Sequence, residues 1–127
     1  VSARAQAITA LKGDVVGLAA SAASAVVSKP VDPESVRGVV ERSQVGGVGA
    51  KYEKLRASAV DVRLDGNPDT MHHKVLILDG AIVVTGSYNF TRSAEEANDE
   101  DVLILHDPAM ASSYQAEFER IWSMAAP

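Results

Sequence analysis

Two spacings of hydrophobic residues alternate along the chain, and each change of spacing marks an element. In SARAQAITALK, residues 2–12, Ala5, Ile8 and Leu11 recur at near-helical steps behind Ser2 as a cap, and Gly13 stands where a helix stops. This predicts a short amphipathic helix. Asp14 to Ala20 (DVVGLAA) reads as a buried strand, weakened by Gly17 and the alanines. Residues 18–35, LAASAASAVVSKPVDPES, are small and polar, are interrupted by Pro30 and Pro33, and predict no clear element. Val36 to Glu41 (VRGVVE) predicts a second short strand, and the Gly46-Gly47-Val48-Gly49 run after it predicts a turn without the spacing of a P-loop. In residues 50–58 Tyr52 and Leu55 share one helix face, Asp61 to Leu64 (DVRL) alternates as a strand, and residues 65–69 are dense in turn formers.

The strongest local pattern is HHKVLILDGAIVVTG. Two β-rich runs, Lys74 to Leu78 and Ala81 to Thr85, flank Asp79-Gly80, a pair suited to a type I′ hairpin turn. Their continuous apolar character predicts cover on both faces. Asp101 to His106 (DVLILH) reads as a further buried strand. Asp107 and Pro108 then supply a cap and a first turn for a final helix, whose apolar stripe is Met110, Tyr114, Phe118, Ile121 and Trp122. Strands alternate with helices and there is no internal repeat. The expected fold is therefore α/β, a mixed sheet flanked by helices with one antiparallel hairpin, in a single domain over residues 1–127.

Composition narrows the chemistry. The 127 residues include no Cys, which removes disulfides, thiolate metal sites and cysteine nucleophiles together while leaving the compartment open. No apolar run approaches the ~20 residues of a membrane span. The chain begins with Val rather than Met, as a processed product would, and a bacterial product of that kind would be periplasmic or secreted; localisation is otherwise unassigned. The net charge of −5 is uneven: residues 93–127 carry one Lys/Arg against eight Asp/Glu, whereas the two stretches before them are each close to neutral. The acidity is therefore only weak counter-testimony against a nucleic-acid substrate.

The candidate chemistry brackets the hairpin. His72 and Lys74 are two apart and are expected on one strand face, with His73 on the other. The hairpin returns Ser87 and Asn89 to the same end. An imidazole, an ammonium, a hydroxyl and a carboxamide there suit an anionic, oxygen-rich group such as phosphate. Asp79 and Gly86 are explained by hairpin geometry and are expected to be structural. Arg63 and Arg92 flank the set and are weaker candidates for substrate contact. His106 lies at the far end of another strand.

Written out, the pattern is His72-x-Lys74, four residues, Asp79, six residues, Gly86-Ser87-x-Asn89. It resembles the HxK(x)4D(x)6GSxN signature of the phospholipase D superfamily, which includes short bacterial endonucleases. Six fixed positions at about 5% usage each coincide at a given start on the order of 10⁻⁸ of the time. GSYNFT and Asn98-Asp99-Glu100 extend the likeness over about residues 61–122, while residues 18–35 match it poorly. The resemblance implies that His72 is the nucleophile and forms a phosphohistidine, and that Lys74, Asn89 and Ser87 hold the phosphate oxygens. Glu100 stands where family members place a carboxylate that orients the imidazole. A second catalytic His comes in this family from a second motif, and a chain with one motif is expected to form a homodimer that shares the active site. No metal and no cofactor are implied. The expected activity is a metal-independent phosphodiesterase, foremost a nonspecific endonuclease acting on nucleic acid. The runner-up is a phospholipase D-type hydrolase of a phospholipid headgroup, and the third reading is a non-catalytic phosphate-binding module.

Overall fold

The computed structural model describes residues 5–9, 35–45, 52–87 and 96–126. The strand expected over residues 14–20, nearly all of the 18–35 segment, the glycine turn at 46–49, Asn89 and Arg92 lie outside the described residues. Strands β1 (Ala5–Thr9), β2 (Arg37–Val40), β3 (Asp61–Leu64), β4 (Lys74–Leu78), β5 (Ile82–Gly86) and β6 (Val102–His106) form one sheet in the order β3-β2-β1-β4-β5-β6. Helices α1 (Tyr52–Ala57) and α2 (Pro108–Met124) accompany it. β1, β2 and β3 run parallel; β4, β5 and β6 are antiparallel neighbours, and β1 also pairs antiparallel with β4. The expected mixed sheet is therefore present, hairpin included.

The expected helix over residues 2–12 is replaced by β1, with Ala7 opposite Gly38 on one side and Leu76 on the other. Tertiary pairing overrides the local spacing because an isolated helix this short is marginal, whereas a central strand closes hydrogen bonds along both edges. In the hairpin Asp79 and Gly80 have φ of 53° and 64°, as a type I′ turn needs, and Ala81 N–H donates to the Leu78 carbonyl at 3.0 Å. All five residues of β4 are buried. The core joins Val39, Val75, Ile77 and Val83 of the sheet to Phe118 and Ile121 of α2, and Asp107 caps α2 by accepting from the N–H groups of Ala109 and Met110.

Two expectations of burial fail, for one reason each. β6 is hydrophobic but outermost, and Val102, Leu103 and Ile104 remain 46%, 56% and 50% exposed because none of the described strands lies beyond them. Met110 is exposed in the first turn of α2, which is not where Phe118 and Ile121 meet the sheet. No helix among the described residues is long and apolar enough to cross a membrane.

Pairing registers collect the site. Thr9 faces both Val40 and Lys74, Val40 faces Leu64, Val75 faces Thr85, and Gly86 faces Val102. The carboxyl ends of β1, β2, β3 and β5 thus meet the starts of β4 and β6 at one end of the sheet, where open α/β sheets bind ligands.

Candidate active site

Lys74 opens β4 and is buried, an unusual place for an ammonium. Its Nζ donates to the His72 carbonyl at 2.8 Å. Burial holds its pKa below the usual lysine range, and the nearby charge of Glu100 offsets part of that shift. The segment carrying His72 is anchored by a second buried charge. Glu41, just after β2, accepts from Met71 N–H at 2.6 Å and from Ser43 N–H at 3.1 Å. Burial alone would raise the Glu41 pKa; the backbone donors outweigh it and leave the carboxyl below its ordinary value.

On the returning strand, Ser87 follows β5 and ties it to the start of β6. Its hydroxyl donates to Glu100 and accepts from Asp101 N–H at 3.0 Å, while Ser87 N–H donates to the Asp101 carbonyl at 3.0 Å. Asn98 Nδ2 holds the other Glu100 oxygen at 3.1 Å. Gly86 is required by this close approach, since a Cβ there would lie 2.1 Å from the Asp101 carbonyl oxygen.

The structure therefore brings together Lys74, Ser87 and Glu100 beside the main chain of His72. His72 itself precedes β4, so the alternation of strand faces does not govern it: its side chain is exposed, Lys74 is buried, and the two are linked through the His72 carbonyl. His73 keeps the expected alternation: with Val75 it faces α2, beside Ser113, Tyr114 and Glu117. His72 and His73 line one cleft of about 320 Å³ together with Asp65, Asn67, Thr70 and Arg120. His73 Nε2 is 3.3 Å from Glu117, and Glu117 accepts from Arg120 at 2.8 and 2.7 Å. These contacts, that of Arg120 first, hold the Glu117 pKa below its ordinary value.

Glu100 is taken up by Ser87 and Asn98 rather than by the His72 imidazole. Arg63 is placed with its guanidinium 3.9 Å from the centre of the Trp122 ring, a packing contact against α2. Asp79 sits at the turn, at the opposite end of β4 from Lys74, and His106 faces Ile82 beside it. The sequence pattern points to neither Glu41 nor Asp65, and to Asn98 only as part of the family likeness. Asp65 was hidden by its loop, whose turn-forming residues advertise exposure, although it is only 1% exposed. Among the described residues no three metal-ligating side chains come together. An exposed imidazole on the residue whose carbonyl holds a dry ammonium is equipped to attack a phosphodiester, with the ammonium placed to hold a non-bridging oxygen.

Comparison with known proteins identifies the family. The family described as "Cardiolipin synthase, PLD-like domain" matches residues 28–122. Mitochondrial cardiolipin hydrolase of Chlamydomonas reinhardtii is 38% identical over 89 residues, covering 70% of this chain and 40% of that protein. Phospholipase D of Rickettsia felis is 35% identical over 91 residues, covering 72% and 46%. The chain thus spans less than half the length of these curated relatives. The crystal structure of Nuc from Salmonella typhimurium, a phospholipase D family member, superposes with a TM-score of 0.74 at 27% identity, covering 98% of this chain and 80% of that one.

Proposed function

The chain belongs to the phospholipase D superfamily, and on that premise we propose that it is a phosphodiesterase that hydrolyses a phospholipid headgroup through a phosphohistidine on His72. The observation that supports catalysis is the buried Lys74 set beside His72 with Ser87 and Glu100. A ring nitrogen of His72 attacks phosphorus, the bond to the headgroup oxygen breaks, and an imidazolium gives that oxygen its proton. Water then attacks phosphorus, the same imidazole takes a water proton, and the P–N bond breaks. Lys74 supplies the fixed positive charge on the phosphate oxygens, and Asn89 is assigned the same task by its place in the motif.

The proton donor is the partner's His72 in a homodimer. Support comes from the single motif and from β6, whose half-exposed apolar residues begin next to Glu100 and offer a surface to a second copy. The rim favours a lipid over nucleic acid. Glu100 and Asp101 bond Ser87, where the further phosphates of a polynucleotide would need cations. The endonuclease reading rests on GSYNFT, which resembles the short endonuclease members of the superfamily.

Incubation with phospholipid vesicles and, separately, plasmid DNA, each with EDTA, decides between the two. Headgroup release is the expected result, and DNA cleavage without it overturns the lipid reading. Specific activity should fall on dilution as the dimer dissociates; constant activity in a demonstrated monomer would remove the shared site.

A further inference from the structure

The mechanism leaves His73 and its partners on α2 unused, yet they hold the residue next to the nucleophile. Thr70 to His73 precede β4 and lie outside the described strand ladders, in which Lys74 is the first β4 residue to be paired. Their position depends on individual ties. Met71 N–H is bound by Glu41 just past β2, the His72 carbonyl by Lys74 of β4, and the His73 ring by Glu117 of α2. None of the three ties involves the His72 imidazole, so they set its main chain and leave the ring to the substrate.

The tie to α2 is built as a fixed point. Arg120 Nε and Nη2 donate to the two Glu117 oxygens at 2.8 and 2.7 Å, a forked pairing within one turn of the helix. Phe118 and Ile121, which follow these two residues in sequence, are buried in the core and fix that turn. Arg120 first, and His73 after it, keep the Glu117 carboxylate ionised; it can then only accept, so the hydrogen of the 3.3 Å contact lies on His73 Nε2. Packing does not hold the ring in its place. A cleft of about 180 Å³ opens between His73, Val75, Ser113, Tyr114 and Glu117, and the ring also lines the cleft it shares with His72. Nor does the pair serve stability, since its side chains are 43% and 35% exposed and ion pairs so exposed contribute little to folding.

We propose that Glu117, oriented by Arg120, is a positioning residue for the nucleophile: it holds His73 against α2 and so sets the main chain of His72 for attack on phosphorus. The inference rests on the reading of His72 as nucleophile, whichever phosphodiester is the substrate. Attack needs the ring nitrogen close to phosphorus and in line with the leaving oxygen, and a displacement of about 1 Å can cost about 10²-fold in rate. Loss of one tie of three loosens the segment without relocating it, so its effect falls below that limit.

Bis(4-nitrophenyl) phosphate tests this in the full chain without a choice of headgroup, and nitrophenolate leaves without needing a proton, so the partner's donor does not enter. Glu117→Ala and His73→Ala should each lower kcat by about 5- to 20-fold, with KM within about two-fold and the melting temperature within about 2 °C. The double variant should be no slower than either single one, because both remove the same tie. His73→Gln, whose amide can again donate to Glu117, should recover most of the rate. Unchanged kcat in both single variants, an effect confined to KM, additive losses, or a His73→Gln protein as slow as His73→Ala would each overturn the proposal. Wild-type rates from His72→Ala, or no hydrolysis by the wild-type chain, would instead overturn the nucleophile reading and the proposal with it. The two His73 variants leave α2 intact, so their comparison decides the matter even where Glu117→Ala fails to fold.

Discussion

The antiparallel and parallel halves of the sheet contribute to the site in different ways. β4, β5 and β6 are consecutive antiparallel neighbours, the first two joined by a tight turn, and carry Lys74, Ser87 and Glu100 on or beside adjacent strand ends. β2 and β3 reach the same end of the sheet through long crossovers and contribute Glu41 and Asp65 just past their last residues. β1 is the seam, parallel to β2 and antiparallel to β4. The reacting groups thus sit on local structure, and the groups that anchor the His72 segment and wall the cleft arrive by distant folding. Damage to the first half should abolish chemistry, and damage to the second should loosen or re-tune it.

The sharpest division comes from His72→Ala. Loss of the nucleophile should lower kcat by about 10³-fold or more while leaving the melting temperature within a degree or two, because the side chain is exposed. Retained activity by steady-state assay would remove His72 from the mechanism.

A smaller effect tests the charge beside it. Lys74 already loses its proton below the usual lysine range because it is buried, and Glu100 partly restores the value. If the rate needs the ammonium, the alkaline limb of the pH–rate profile reports Lys74. Glu100→Gln should shift that limb to lower pH, and an unmoved limb would mean that Glu100 does not act through Lys74.

Gly86→Ala places a methyl group 2.1 Å from the Asp101 carbonyl oxygen and must push β5 from β6. A loss of about 2–3 kcal/mol in denaturant unfolding is expected. A smaller loss would show that the β5–β6 junction yields easily, and the site would then be less firmly built than its hydrogen bonds imply.

In the parallel half, Glu41→Gln turns an amide NH₂ toward one of two backbone donors and should cost about 1–2 kcal/mol at neutral pH. The sign of its pH dependence follows from the lowered pKa. The stabilisation from Glu41 is present above the unfolded carboxylate pKa and fades as pH falls through the lower folded value. Stability of Glu41→Gln and wild type should therefore converge in acid, measured by urea midpoints across pH. Parallel curves would show that the Met71 anchor does not depend on the charge.

The same division runs through what could be read from residues alone. The β4–β5 hairpin, α2 with its Asp107 cap, and the spacing of His72, Lys74 and Ser87 are local patterns, and local patterns survive in one dimension. The β1 strand was misread because its helical spacing is overruled by ladders to segments about 30 and 70 residues away. β6 was misread in the opposite sense: its residues are those of a buried strand, and only its outermost place in the sheet exposes them.

By itself, then, the sequence determined the candidate site residues and the hairpin that presents them, because turn chemistry and residue spacing act over a few positions. Tertiary structure alone decided that Lys74 is dry, that Glu100 is held by Ser87 and Asn98, and that Asp65 lies buried and unpartnered behind the cleft. Those outcomes depend on which distant strands end together. Burial and hydrogen-bond partnership are properties of that meeting and not of any one segment.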